Sequence, residues 1–185
     1  MGRKKLQVLI SALVVISIAI VARETLTYYT ALGKAANVVT SGDVQLRIYE
    51  KTADGGDFPK DGIAVMPGKV VSKIVTIENV CDQPFYLRVK LTKSMGSETL
   101  PEECLDIDIN TEKWTLREDG YAYYNHIVEP GQITEPVFSE VEIVGDQVDQ
   151  QYMGRVLSLT VDAQAVQSKN NPADFPWEAS GWPAE

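Results

Sequence analysis

Phe85-Tyr86-Leu87-Arg88-Val89-Lys90-Leu91-Thr92 decides how this chain is read. Phe85, Leu87, Val89 and Leu91 take every second place, and Tyr86, Arg88, Lys90 and Thr92 fill the places between. A period of two belongs to a strand with one face in a core and the other toward water. Pro84 and the polar stretch from Asn79 bound it on one side, and the loop-like Ser94 to Glu103 bounds it on the other.

The same period recurs outward in both directions. Val44, Leu46 and Ile48 alternate with polar residues over 43–50. Val71, Val75 and Ile77 mark one face of a strand over 69–79, launched by Pro67-Gly68. Beyond the central strand come Leu105, Ile107 and Ile109, then Trp114 and Leu116. The Glu118-Asp119-Gly120 turn leads into Tyr121-Ala122-Tyr123-Tyr124. Glu129-Pro130-Gly131 is a second Pro-Gly turn before a strand near 136–144. Leu157, Leu159, Val161, Ala163 and Ala165 line one face of a long strand at 155–167. Gly145 to Met153 has room for one helical turn. Eight to ten short strands at this spacing predict an all-β chain, a sandwich of jelly-roll or immunoglobulin-like kind.

The first residues read differently. Met1 to Lys5 is basic, and Leu6 to Ala22 is an almost unbroken apolar run. This is the pattern of an export signal helix. Thr25 and Thr27 stand at the −3 and −1 positions, so the cut falls before Tyr28. A spanning helix takes roughly 20 apolar residues, and this run is slightly shorter. Uncleaved, the signal is the chain's contact with a membrane. The organisation expected is a signal peptide at 1–27, an N-terminal segment at 28–42, a β-sandwich at 43–167 and a tail at 168–185 containing Pro172, Pro176, Trp177, Trp182 and Pro183.

The whole chain carries a net charge of −9. Cleavage removes Arg3, Lys4, Lys5 and Arg23 against Glu24 alone, so the exported part is more acidic still. Nucleic acid is excluded as a partner, because phosphates would be repelled. Export permits a disulfide between Cys81 and Cys104. If 84–93 and 104–109 form a hairpin, however, the two lie at opposite ends of a strand about 30 Å long. A bridge needs Cα atoms within about 7 Å, so pairing requires another topology.

No catalytic constellation emerges. His126 is the single histidine, and neither an H-E-x-x-H pair nor a G-x-S-x-G elbow occurs. Asp106 and Asp108 share the polar face of a strand and are candidate Ca²⁺ ligands beside loop carboxylates. Plain strand alternation accounts for them better, and no cofactor is expected. Trp114, Tyr121, Tyr123 and Tyr124 are either core packing or a binding surface.

Tyr28 to Thr40 has mechanical content. It is β-capable and begins at the cut, with Tyr28, Tyr29, Val38 and Val39 as candidate donor-strand residues. Such a segment is an edge strand of its own sheet, or it adds to the sheet of another subunit. Repeated head to tail, the second arrangement builds a filament.

Several stretches resemble the TasA/camelysin family. They are Thr25 to Tyr29 with Ala36 to Val44, Val75-Thr76-Ile77-Glu78-Asn79 after Pro67-Gly68, and Asp119 to Asn125 with Glu129 to Gln132 and Thr134 to Phe138. Val161 to Gln167 resembles the family's last strand. The resemblance implies export through an alternative, SipW-type signal peptidase of Gram-positive bacteria. It also implies a jelly roll and a secreted fibre subunit, or an accessory one, of a biofilm matrix or cell surface. Camelysin's label as a metallopeptidase supplies an alternative function, for which this sequence offers no recognisable site. A monomeric surface binding module using Trp114 and the tyrosines is the third reading.

Overall fold

The computed structural model describes residues 29–34, 38–40, 44–60, 63–65, 68–95, 98–99, 104–144 and 156–183. The described chain is almost entirely β. Its strands are β1 (Tyr29–Lys34), β2 (Val38–Thr40), β3 (Leu46–Lys51), β4 (Ile63–Val65), β5 (Val70–Ser72), β6 (Ile74–Asn79) and β7 (Phe85–Met95). After these come β8 (Glu98–Thr99), β9 (Leu105–Ile107), β10 (Trp114–Leu116), β11 (Tyr121–Tyr124), β12 (Glu140–Ile143) and β13 (Val156–Gln167). One 3₁₀ turn, Pro176–Glu178, lies in the tail.

The centre is the antiparallel pair β7–β13, held in register from Leu157↔Met95 to Gln167↔Phe85. Around it the largest sheet runs β10-β11-β7-β13-β1-β4, with β2 on β13 and β8 on β7. A second sheet has the order β5-β12-β9, and a third pairs β3 with β6. Residues 131–139 run along β6 without regular strand geometry. Thr134 N–H donates to Ile77 O at 2.8 Å, and Val137 N–H donates to Val75 O at 2.8 Å.

One buried apolar cluster takes residues from all three sheets. Phe85, Leu87 and Val89 of β7 join Val161, Ala163 and Ala165 of β13, Val75 and Ile77 of β6, and Val141 and Ile143 of β12. Each side chain of this size, fully buried, contributes about 1.5–3 kcal/mol. The alternation in β7 and β13 therefore sets which faces meet. Trp114 and Tyr124 pack in the same cluster, with ring centroids 5.0 Å apart.

The second Pro-Gly turn works as its residues require. Gln132 N–H donates to Glu129 O at 2.9 Å, and Gly131 sits at φ 75°, a conformation open to glycine and strained for other residues.

Two expected strands change, and neither the conditional hairpin nor the disulfide forms. The strand expected over 69–79 is two, broken at Lys73, whose N–H donates to Ser139 O at 2.9 Å. No hairpin joins 84–93 to 104–109: β7 pairs with β13, β11 and β8, whereas β9 pairs with β12. Cys81 and Cys104 both carry thiols rather than a disulfide. The strand near 136–144 shrinks to Glu140–Ile143, because 136–139 bonds to β6 and to the chain near Asn110 instead. The signal helix, Thr25, Thr27, Tyr28 and the Gly145–Met153 turn lie outside the described residues.

Candidate functional site

Strand β13 has two edges with different partners. Along one, β7 matches it across eleven register pairs. Along the other lie two short strands from the N-terminal segment, both parallel to it. β1 aligns Thr30 with Val156 through Lys34 with Thr160. β2 aligns Val38 with Ala163, Val39 with Gln164 and Thr40 with Ala165. The outer edge of β1 then pairs antiparallel with β4, Tyr29 opposite Val65. Of the candidate donor residues, Tyr29, Val38 and Val39 thus stand in strands on or beside the β13 edge.

The face of β13 turned away from Ala163 and Ala165 carries Gln164. Gln164 stands opposite Val39, and its Oε1 accepts from Arg88 Nε at 2.8 Å and Arg88 Nη2 at 2.6 Å. Gln164 Nε2 donates to Tyr121 OH at 3.3 Å. Arg88 is buried, and Nη1 reaches Tyr123 OH at 3.0 Å. That hydroxyl donates onward to Asp119 Oδ2 at 2.7 Å. Burial, followed by the Asp119 bond, pushes the Tyr123 hydroxyl above its ordinary pKa, and Arg88 opposes them. A desolvated guanidinium is thereby satisfied by oriented oxygens.

A second edge is treated differently. β9 ends its sheet, and three of its outward groups are taken. Lys93 Nζ donates to Leu105 O at 2.7 Å, Ile107 N–H to Asp106 Oδ1 at 3.0 Å, and Ile109 N–H to Ile107 O at 2.8 Å. A groove of about 400 Å³ runs beside it, lined by Leu91, Ile107, Ile109 and Leu116 among others. Blunting of this kind keeps an edge from recruiting another strand.

The remaining candidates fall apart in space or into structural roles. Asp108 is tied down: its carboxylate accepts from the N–H of Ser139 at 2.8 Å, the N–H of Glu140 at 2.6 Å and the Ser139 hydroxyl. Burial pulls its pKa up, but those bonds outweigh burial and leave it below the ordinary carboxylate value. Asp106 caps its own strand neighbour. Among the described residues no three His, Cys, Asp or Glu side chains converge as a metal centre would need. His126 is exposed, edge-on to Tyr124 with centroids 5.7 Å apart. Trp114, Tyr121, Tyr123 and Tyr124 are each buried, so the surface imagined for a binding module is core and sheet packing.

Three features went unread in the sequence. Lys73 has the same parity as Val71 and Val75, which was the signal for an inward lysine. Arg88 sits on the face expected to meet water. The tail covers that face.

No family model matches the chain, and neither a curated protein nor a solved structure matches it.

Proposed function

We propose that this chain is an exported structural subunit, a β-sandwich of jelly-roll kind, that assembles head to tail into a fibre at a cell surface or in a biofilm matrix. A signal peptidase frees residues 28–40, and the freed segment leaves its own β13 for the β13 of the next subunit. The resemblance to the TasA/camelysin family points the same way.

The observation that carries the reading is the asymmetry of β13. Its inner edge has a permanent partner in β7, whereas its other edge is filled by short strands from the segment that follows the leader. Backbone pairing of this sort transfers between copies with little change in energy, because the same hydrogen bonds form in both places. The blunted β9 edge favours the β13 edge as the acceptor.

Excess synthetic peptide of residues 28–42 is the test. It competes for the acceptor edge, so filaments of the processed protein should shorten as peptide is added, whereas a scrambled peptide should leave them unchanged. Filaments insensitive to the peptide would count against strand exchange.

A further inference from the structure

The tail is a small folded unit of its own. Asn171 Nδ2 donates to Ser180 O at 2.9 Å, and Ser180 N–H donates back to Asn171 Oδ1 at 3.0 Å. Trp182 Nε1 donates to Pro176 O at 3.3 Å, and Phe175 stacks on Trp177 at 4.7 Å with planes 6° apart. Its polar contacts are thus largely internal.

Its grip on the sheet is made of rings and two arginines. Arg88 lies between Tyr121 and Trp182, 3.8 Å and 4.7 Å from their centroids, and Nη2 donates to Pro183 O at 3.0 Å. Tyr123 meets Trp182 and Trp177 edge-on at 5.6 Å and 6.2 Å. Tyr86, Val166 and Ala179 form a small separate cluster with Trp182 beside them. Arg117 covers Trp177 at 4.8 Å. The tail turns back through Asn170, which at φ 60° is the one non-glycine residue with positive φ among those described. Left-handed backbone is tolerated by asparagine but still costs energy, and an extended hinge relieves it.

We infer that residues 171–183 are an exchangeable clip, and that the seat formed by Tyr86, Arg88, Tyr121, Tyr123 and Val166 takes the same clip from a second copy of this chain. A segment closed by its own hydrogen bonds lifts off as a unit, at the low end of local stability. The bared seat presents three tyrosines and an arginine, residue types enriched in energetically dominant contact surfaces. The clip of a second copy fits it because the subunit's own clip does. The exchange is reciprocal, so it closes on a pair and does not extend. It uses the outer face of β7, β11 and β13 and leaves the hydrogen-bonding edge of β13 untouched, so it stands apart from the filament contact and does not depend on it.

The experiment mixes two full-length processed preparations, one labelled with a heavy nitrogen isotope, with a photoreactive benzoylphenylalanine in place of the exposed Phe175. Illumination at rising concentration should give covalent dimers whose cross-linked peptides join the tail of one isotope to 84–95 or 121–128 of the other. Asn170→Gly, which removes the strain of the closed hinge, should cut the dimer yield about threefold, a shift of the size such backbone substitutions produce. Deleting residues 28–40 should leave the yield unchanged. Cross-links confined to one isotope at every concentration would overturn the exchange, as would a yield indifferent to Asn170→Gly. A yield abolished by the 28–40 deletion would reassign the contact to the filament.

Discussion

Lys73 Nζ lies 2.8 Å from Glu50 Oε1, with the two side chains 4% and 10% exposed. The Phe58 ring covers the ammonium, 5.0 Å from its centroid. The contact is ionic without hydrogen-bond alignment, since neither atom has a hydrogen-bond partner among the described residues. It joins β3 to the β5–β6 break and holds the 52–58 loop against the core. Breaking such a pair strands one buried charge, whereas replacing both partners removes the desolvation cost as well.

Lys73→Met and Glu50→Leu should therefore each destabilise the fold by about 3 kcal/mol or more, and the double variant carrying both should cost far less than their sum. Urea denaturation of the three variants measures this. Additive losses would show that the pair is not coupled.

Arg88→Met removes the fork to Gln164, the bond to Tyr123 and the bond to Pro183 together. A loss of about 2–4 kcal/mol is expected, and Arg88→Lys should recover little of it because an ammonium lacks the planar fork. Thermal unfolding followed by tryptophan emission reads both. Full recovery by lysine would mean that charge alone matters at this site.

Acid should weaken the fold through Asp108 and Glu135. Glu135 is held low chiefly by the Tyr124 hydrogen bond, then by its own backbone N–H and Lys113. Both folded pKa values lie below the unfolded ones, so the stability they supply is present above about pH 4 and is lost as pH falls through the depressed values. Asp108→Asn should flatten part of the fall in urea midpoint between neutral and acid pH. An unchanged slope would place the sensitivity elsewhere.

Alkali tests the other partner. Burial first, and the Glu135 carboxylate next, push the Tyr124 hydroxyl up to about 12. Because the folded value is raised, its contribution is whole below about pH 10, the unfolded value, and fades as pH climbs toward the folded one. In a spectrophotometric titration one tyrosine should ionise about two units late, and Glu135→Gln should bring it earlier.

How far the sequence can be read depends on what each residue answers to. β7 and β13 were legible because their inward faces meet one core, and period two is the direct record of that. The Glu129-Pro130-Gly131 turn was legible because its residue types impose its dihedrals. Lys73 was not, since a lysine on a core face is ordinarily excluded and only the distant Glu50 compensates it. Arg88 and Tyr86 were misjudged for the same reason: the tail that buries them lies about 90 residues away in sequence. Strand partners escaped as well. Nothing local tells β9 to choose β12 over β7, or sets β1 and β2 parallel to β13. The β13 edge on which β1 and β2 lie was therefore invisible, although their segment was read as β-capable.

Strand exchange onto β13 is tested most directly by negative-stain imaging of secreted protein of known N-terminal sequence, beside a chain lacking residues 28–40. An N-terminus at Tyr28, filaments from the whole protein and discrete folded particles from the deletion are expected. A retained leader, or filaments of equal length and number from the deletion, would contradict it.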